Sequence, residues 1–115
     1  IMPRANSSIP RHKRHRKIVK LAKGYYGRRK SNFRAAKDAV EKGLQYSYRD
    51  RRNKKRTMRS LWIIRINAAV RQHGLSYSKF INLLKEKNID INRKSLAYMA
   101  VNDPEGLSAI IKSIS

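Results

Sequence analysis

The side chains of this 115-residue chain that are best placed to do chemistry are its cations, which are densest at Arg49–Arg56. That run, RDRRNKKR, holds six basic side chains and one acid in eight positions. On a helix these side chains radiate in every direction, so they could contact the phosphates of a nucleic acid from several sides. The plainer interpretation is a solvated helix surface. Mutual repulsion among so many neighbouring cations favours polyanion binding instead.

Two histidines, His12 and His15, stand three residues apart and could share a metal ion on one helix face. Five Lys or Arg residues lie in the same segment, residues 11–17, and no acid or cysteine is nearby to complete a ligand set. We therefore expect phosphate contact or a solvated position for both histidines, and no metal site. His73 precedes Gly74 at a predicted helix end, where positive charge is favoured, and needs no further role.

The sequence offers no catalytic grouping. It has 7 acids, 5 glycines and no cysteine. From their positions no Ser–His–Asp group, carboxylate pair or glycine-rich phosphate loop can be assembled. Disulfides and cysteine-based metal sites are excluded, which suits an intracellular protein. We expect a protein that is not an enzyme and that needs no cofactor.

Positive charge is concentrated in the first half of the chain. Residues 1–60 hold 21 Lys/Arg against 3 Asp/Glu, a net +18, whereas residues 61–115 hold 8 against 4, a net +4. Apolar residues run the other way, occupying 19 of the first 60 positions and 27 of the last 55. Because like charges repel and the first half has little apolar surface to bury, it needs a large polyanion as partner. We predict a basic arm, residues 1–60, and a compact domain, residues 61–115.

Aromatic side chains among these cations point to RNA, because unstacked bases pack on such rings. Tyr25 and Tyr26 are flanked by glycines and followed by three basic residues, which favours RNA contact for both. Phe33, Tyr46 and Tyr48 fit RNA contact and local packing along a helix equally well.

The start of the arm is predicted to be an extended segment, a short helix and a loop. Prolines favour an extended or turn conformation over residues 1–10. A helix should follow from Arg11 to about residue 22 and end at Gly24. Residues 24–30, with two glycines, should form a loop.

A long helix is predicted next, capped by Ser31 or Asn32 and running without proline up to Gly74, its stop. Gly43 is its weak point, since glycine costs about 1 kcal/mol relative to alanine in a helix interior. The apolar stripe of its first half is narrow and consists of Phe33, Ala36, Val40, Leu44 and Tyr48. Residues 49–57 have no apolar side chain, so this stretch should fray in water.

Past the basic run, the pattern changes to the wide apolar faces of a small helical bundle. The end of the long helix contributes Met58, Leu61, Trp62, Ile64, Ile66, Ala68, Ala69 and Val70. Three short helices should follow, at 76–87, at 93–101 with Asn92 as cap, and after a start at Asp103-Pro104-Glu105. Their inward residues should be Tyr77, Phe80, Ile81, Leu84, Leu96, Met99, Ala100, Leu107, Ile110, Ile111 and Ile114. Trp62 should lie in the core. The predicted fold class is all-α, with a long basic helical N-terminal arm followed by a small C-terminal helical bundle.

A membrane surface and duplex DNA are the competing polyanions. A membrane-binding helix needs a broad apolar face, which Arg11–Lys17 lacks, and no apolar run approaches the ~20 residues that span a bilayer. The chain start shows no apolar signal-peptide segment. The stronger alternative is a helix-turn-helix DNA-binding regulator, for which Arg93 and Lys94 are the only base-reading candidates.

Several segments in register resemble one family, the bacterial-type large-subunit ribosomal protein L20 family. They are KLAKGYYGRRK at 20–30, YRDRR at 48–52, LWIIRINAA at 61–69, GLSYS at 74–78 and NRK at 92–94. The resemblance runs from about residue 2 to the end of the chain. Departures lie at residues 5–9, where the family is often more basic, and at Ser95, Tyr98 and Met99.

The resemblance implies a structural and assembly role in the large ribosomal subunit. The family's basic arm threads through large-subunit ribosomal RNA (rRNA), and its helical domain sits near the subunit surface among neighbouring ribosomal proteins. The family binds early in assembly, and in some bacteria it represses translation of its own mRNA. The expected location is the bacterial cytoplasm, with an organellar ribosome as the alternative and no membrane partner.

The predicted rRNA-binding residues are the cations of the arm together with one histidine and three tyrosines. They are Arg4, Arg11, Lys13, Arg14, His15, Arg16, Lys17, Lys20, Lys23, Tyr25, Tyr26, Arg28, Arg29, Lys30, Arg34, Lys37, Tyr48, Arg49, Arg51, Arg52, Lys54, Lys55, Arg56 and Arg59.

Overall fold

The computed structural model describes residue 4 and residues 6–115. The described residues form the helices α1 (Ser8–Leu21), a 3-10 helix (Gly27–Lys30), α2 (Phe33–Arg71), α3 (Tyr77–Glu86), α4 (Arg93–Asn102) and α5 (Pro104–Ile114). No strand occurs among them. The all-α prediction, with one long helix before three short ones, is confirmed.

The chain divides into two compact units, Ile1–Arg51 and Arg52–Ser115, and α2 contributes to both. The predicted division into an arm and a domain after residue 60 follows charge rather than packing, and it stays a prediction.

Helix α1 begins at Ser8, so the predicted extended conformation is wrong for residues 8–10. Pro10 is tolerated because the first N–H groups of a helix have no intrahelical acceptor, so its missing N–H breaks no bond. Asn6 supports this start, since its Oδ1 accepts from the Ser8 backbone N at 3.4 Å and from the Ser8 hydroxyl at 2.6 Å. The rest of that prediction, at residues 1–3 and 5, lies outside the described residues.

The first unit has a small core between α1 and the start of α2. Ala22, Ala36 and Val40 are buried there, with Val19 and Tyr25 packed against them. The predicted apolar stripe of α2 is buried only in its first part, because Leu44 is 63% exposed. The helical segment from residue 44 to residue 60 is exposed at every position.

The second unit is a helical bundle closed by caps that the sequence predicts. Asn92 Oδ1 accepts from Ser95 N at 2.8 Å at the start of α4, and Asp103 Oδ1 accepts from Gly106 N at 3.0 Å at the start of α5. Gly74 ends α2 with φ +76°, which glycine adopts without strain. These caps set the lengths of the short helices.

The bundle core confirms most of the predicted inward residues. The buried set is Ile66, Val70, Phe80, Leu84, Leu96, Ala97, Leu107, Ile111 and Ile114. Trp62 packs against this core as predicted. The predicted face of α2 is too wide, since Ile64 is 64% exposed and Met58 is 36% exposed. Three short helices cover only one side of α2, which leaves both side chains outside the core.

Candidate nucleic-acid interface

Helix α1 is basic on nearly every side except the one that packs. His15, Ile18 and Val19 are half-buried and Ala22 is buried, at the helical spacing of one face. All its Lys and Arg side chains are exposed. Packing of the apolar face therefore turns these cations towards solvent, where a polyanion can reach them.

The first packing contact of α1 on α2 is a ring stack. The His15 imidazole lies parallel to the Phe33 ring, with centroids 3.7 Å apart and an interplanar angle of 5°. Loss of water around the imidazole, followed by the positive charges of Arg11 and Arg14 and then by His12, lowers the pKa of His15 below its ordinary 6.5. His15 thus serves packing within the protein, although the sequence predicts phosphate contact or a solvated position for it.

Tyr25 is the second contact that the sequence does not reveal. It is half-buried against the core of the first unit. A Cβ on Gly43 would lie 2.8 Å from the Tyr25 hydroxyl oxygen, closer than such atoms approach. Gly43 has no side chain, and this leaves room for the Tyr25 hydroxyl group against α2. The same lack of a side chain weakens α2 locally.

The neighbouring residue, Tyr26, is 95% exposed. It occupies extended backbone (φ −69°, ψ 138°) directly before the 3-10 helix, a turn that replaces part of the predicted loop at residues 24–30. That turn is held at its end by the Arg28 carbonyl, which accepts from Ser31 N at 3.1 Å and from Asn32 N at 2.8 Å. The two adjacent tyrosines thus have different surroundings, since Tyr25 packs against the core and Tyr26 lies in solvent.

A shallow basic groove of about 580 Å³ runs between the end of α1 and the end of the 3-10 helix. It is lined by Arg16, Val19, Lys20, Lys23, Gly24 and Lys30. Four of these six side chains carry positive charge, and no acid occurs in the sequence from Lys20 to Lys37. The groove suits an anion such as a backbone phosphate.

The middle of α2 carries the densest charge. All positions of Arg49–Arg56 are exposed, and an ion pair joins Arg49 Nε to Asp50 Oδ1 at 3.0 Å. The Tyr46 ring has Lys42 Nζ at 5.1 Å and the Arg49 guanidinium carbon at 4.6 Å from its centroid. These cation–π contacts show that Tyr46 takes part in local packing.

Exposure separates the predicted rRNA-binding residues into two groups. His15 and Tyr25 are half-buried, and every other residue of the predicted set is exposed. Within residues 4 and 6–115, no group of three or more His, Cys, Asp or Glu side chains could hold a metal ion. In the same range, no helix combines the length and apolarity needed to cross a membrane.

Comparison with known proteins places this arrangement in a family. The family model described as Ribosomal protein L20 matches residues 4–110. This chain belongs to the ribosomal protein L20 family. The resemblance carried by the sequence segments is thereby confirmed.

Individual L20-family relatives match nearly the whole chain. The protein named large ribosomal subunit protein bL20 of Rickettsia prowazekii is 59% identical over 111 residues, covering 96% of this chain and 95% of the relative. The protein of the same name from Methylorubrum extorquens is 55% identical over 111 residues, covering 96% and 92%. That from Parvibaculum lavamentivorans is 54% identical, covering 96% and 94%.

Family membership gives the helix-turn-helix alternative no support, and the geometry agrees. Arg93 is half-buried and its Nε donates to the Tyr77 hydroxyl at 2.7 Å. A side chain engaged in this way within the bundle is poorly placed to read base edges.

Two groove residues, Val19 and Gly24, are absent from the predicted set. Val19 belongs to the apolar spacing of α1, and the sequence indicates for Gly24 only the end of that helix. The bend that brings the 3-10 helix back towards α1 places both beside the cations. The only sequence signal for this bend is the pair of glycines around the tyrosines.

Proposed function

We propose that this L20-family chain is a structural constituent of the large ribosomal subunit that binds large-subunit rRNA through its basic arm, residues 1–60. The observation that carries the proposal is the near full-length likeness to proteins named large ribosomal subunit protein bL20, at 59% identity in one case. The exposure of every predicted cation supports the same function.

Binding by the arm is driven by phosphate neutralisation. Each cation that contacts a phosphate releases condensed counterions, which makes the affinity high and strongly dependent on salt. Around Arg49–Arg56 the cations face several directions, so this helical segment suits a site enclosed by RNA rather than one duplex groove. Shape recognition and base stacking add selectivity.

The resemblance extends the proposal to assembly and location. The chain joins the subunit early in assembly, and its bundle lies near the subunit surface beside other ribosomal proteins. It also represses translation of its own mRNA, as some family members do. The bacterial sources of the relatives favour the bacterial cytoplasm over an organelle.

The test is filter binding of the full chain to large-subunit rRNA fragments and to duplex DNA at matched, elevated salt. We expect a clear preference for at least one rRNA fragment, because duplex DNA offers neither enclosed phosphates nor unstacked bases. A preference for duplex DNA contradicts the proposal and restores the DNA-binding alternative.

A further inference from the structure

Tyr26 is the most exposed of the large hydrophobic side chains in the described chain, at 95%. A ring in this position contributes almost nothing to folding, since it buries almost no surface. The sequence around it, from Lys20 to Lys37, contains seven Lys or Arg residues and no acid. An exposed aromatic ring in a strongly basic segment is the arrangement that binds bases of single-stranded nucleic acid.

The loop around Tyr26 is held in place on both sides. Tyr25 is packed against the core of the first unit, and Tyr25 N donates to the Ala22 carbonyl at 3.1 Å. Gly24 (φ +88°) and Gly27 (φ +60°) adopt backbone conformations that other residues adopt with strain. A Cβ on either glycine would meet nothing within 4 Å, so the space beside the backbone is open on both sides of Tyr26 in the chain.

The basic groove comes within two residues of Tyr26 in the chain. Gly24, which lines the groove, is two residues from Tyr26, so their Cα atoms are at most about 7 Å apart. The Tyr26 ring and the groove cation Lys23 therefore project from the same short stretch of backbone. Lys23 precedes Gly24, and Lys30 closes the groove from the 3-10 helix.

We propose that Tyr26 and the basic groove form a site for one unpaired RNA nucleotide, with the base stacked on the Tyr26 ring and the phosphate among the groove cations. The inference rests on the proposed function and adds a specific ligand to it. The nucleotide must be unpaired, because the faces of a base inside a helix are covered by its neighbours. Tyr25 has no part in this contact, since its ring is committed to α2.

The test is equilibrium binding of the full chain to large-subunit rRNA transcripts, comparing three substitutions at one position. Tyr26→Phe keeps the aromatic face and should bind like the wild type. Tyr26→Leu and Tyr26→Ala remove that face and should weaken binding about tenfold, in line with the stacking of one base. Because the side chain is exposed, circular dichroism should show unchanged helix content in all three.

Salt dependence separates the two halves of the site. The Tyr26 variants should leave the slope of log K against log salt unchanged, because no phosphate contact is lost. Lys23→Gln should reduce the slope by about 0.7–0.9, the value for one phosphate. Ultraviolet cross-linking should join the Tyr26 peptide to a base that is unpaired in the rRNA.

Distinct results would overturn the inference. Wild-type affinity for bare rRNA in Tyr26→Ala, or a cross-link to a paired base, contradicts it and leaves the proposed function standing. A Tyr26→Ala defect that appears only when other ribosomal proteins are present assigns the ring to a protein partner and contradicts it too. Failure of the wild type to prefer rRNA overturns the proposed function itself.

Discussion

At the scale of single residues, one glycine explains why two adjacent tyrosines differ in burial. Tyr25 packs with its hydroxyl against Gly43, whereas Tyr26 is exposed. The contact joins residues 18 positions apart, so sequence spacing gives no sign of it. For this reason the sequence predicts RNA contact for both tyrosines and treats Gly43 only as a weak point of the helix.

A double-mutant cycle tests the contact. Alanine in a helix interior is favoured over glycine by about 1 kcal/mol, but in the wild type the new methyl group meets the Tyr25 hydroxyl oxygen. Gly43→Ala should therefore stabilise the first unit much less than expected, or destabilise it. In the Tyr25→Phe background the nearest ring atom is Cζ at 4.0 Å, and the same change should give the full gain. Hydrogen exchange of amides 18–22 reports the difference, and an equal effect in both backgrounds contradicts the packing.

The stack of His15 on Phe33 predicts that the stability of the first unit depends on pH. The pKa of His15 is lowered below 6.5 by desolvation and by Arg11 and Arg14, so the unfolded chain binds the proton more readily. The contribution of the His15–Phe33 stack to the stability of the first unit is therefore fully present above about pH 6.5. It is lost as the pH falls through the pKa that His15 has in the folded state.

Nuclear magnetic resonance titration of His15 checks this directly. We expect the pKa to move up towards 6.5 in Phe33→Leu, because the ring that displaces water is gone. We also expect amides 18–22 of the wild type to have lower protection factors, corrected for the intrinsic exchange rate, at pH 5 than at pH 8. A pKa that does not change in Phe33→Leu contradicts the role of the stack.

At the scale of elements, helix ends were largely predictable because they depend on local chemistry. Asn92, Asp103 and Gly74 act within a few residues of the helix ends that they fix. The sequence does not predict the start of α1 at Ser8, because Pro10 suggests an extended chain, whereas the first turn of a helix tolerates proline. The exposure of Ile64 was missed because periodicity shows which face is apolar but not how many helices cover it.

The exposed middle of α2 predicts a local difference in stability. Residues 44–60 bury no side chain and carry the densest positive charge, so helical hydrogen bonds there lack support from packing. In the free protein their amides should exchange much faster than those of residues 66–70, and addition of large-subunit rRNA should slow them. Equal protection of the two segments without RNA contradicts the predicted fraying of residues 49–57 in water.

At the scale of the whole molecule, the charge pattern determined the class of partner, and the packing determined which cations reach it. The net +22 predicts a polyanion. Only the fold shows that the arm's Lys and Arg side chains are all exposed, while His15 and Tyr25 pack inside the first unit. Contacts between distant residues account for this part, and one sequence does not reveal them.

The most direct measurement of the central claim is the salt dependence of binding to large-subunit rRNA, in two variants that lose the same charge. One replaces Lys54, Lys55 and Arg56 by Gln, and the other replaces Lys79, Lys85 and Lys87, which are also exposed but belong to the bundle helix α3 and its end. If the arm contacts phosphates, the first variant should lower the slope of log K against log salt by about 2–3. The second should leave it nearly unchanged. Equal slopes in the two variants would show that net charge alone drives binding, and would contradict rRNA binding through the arm.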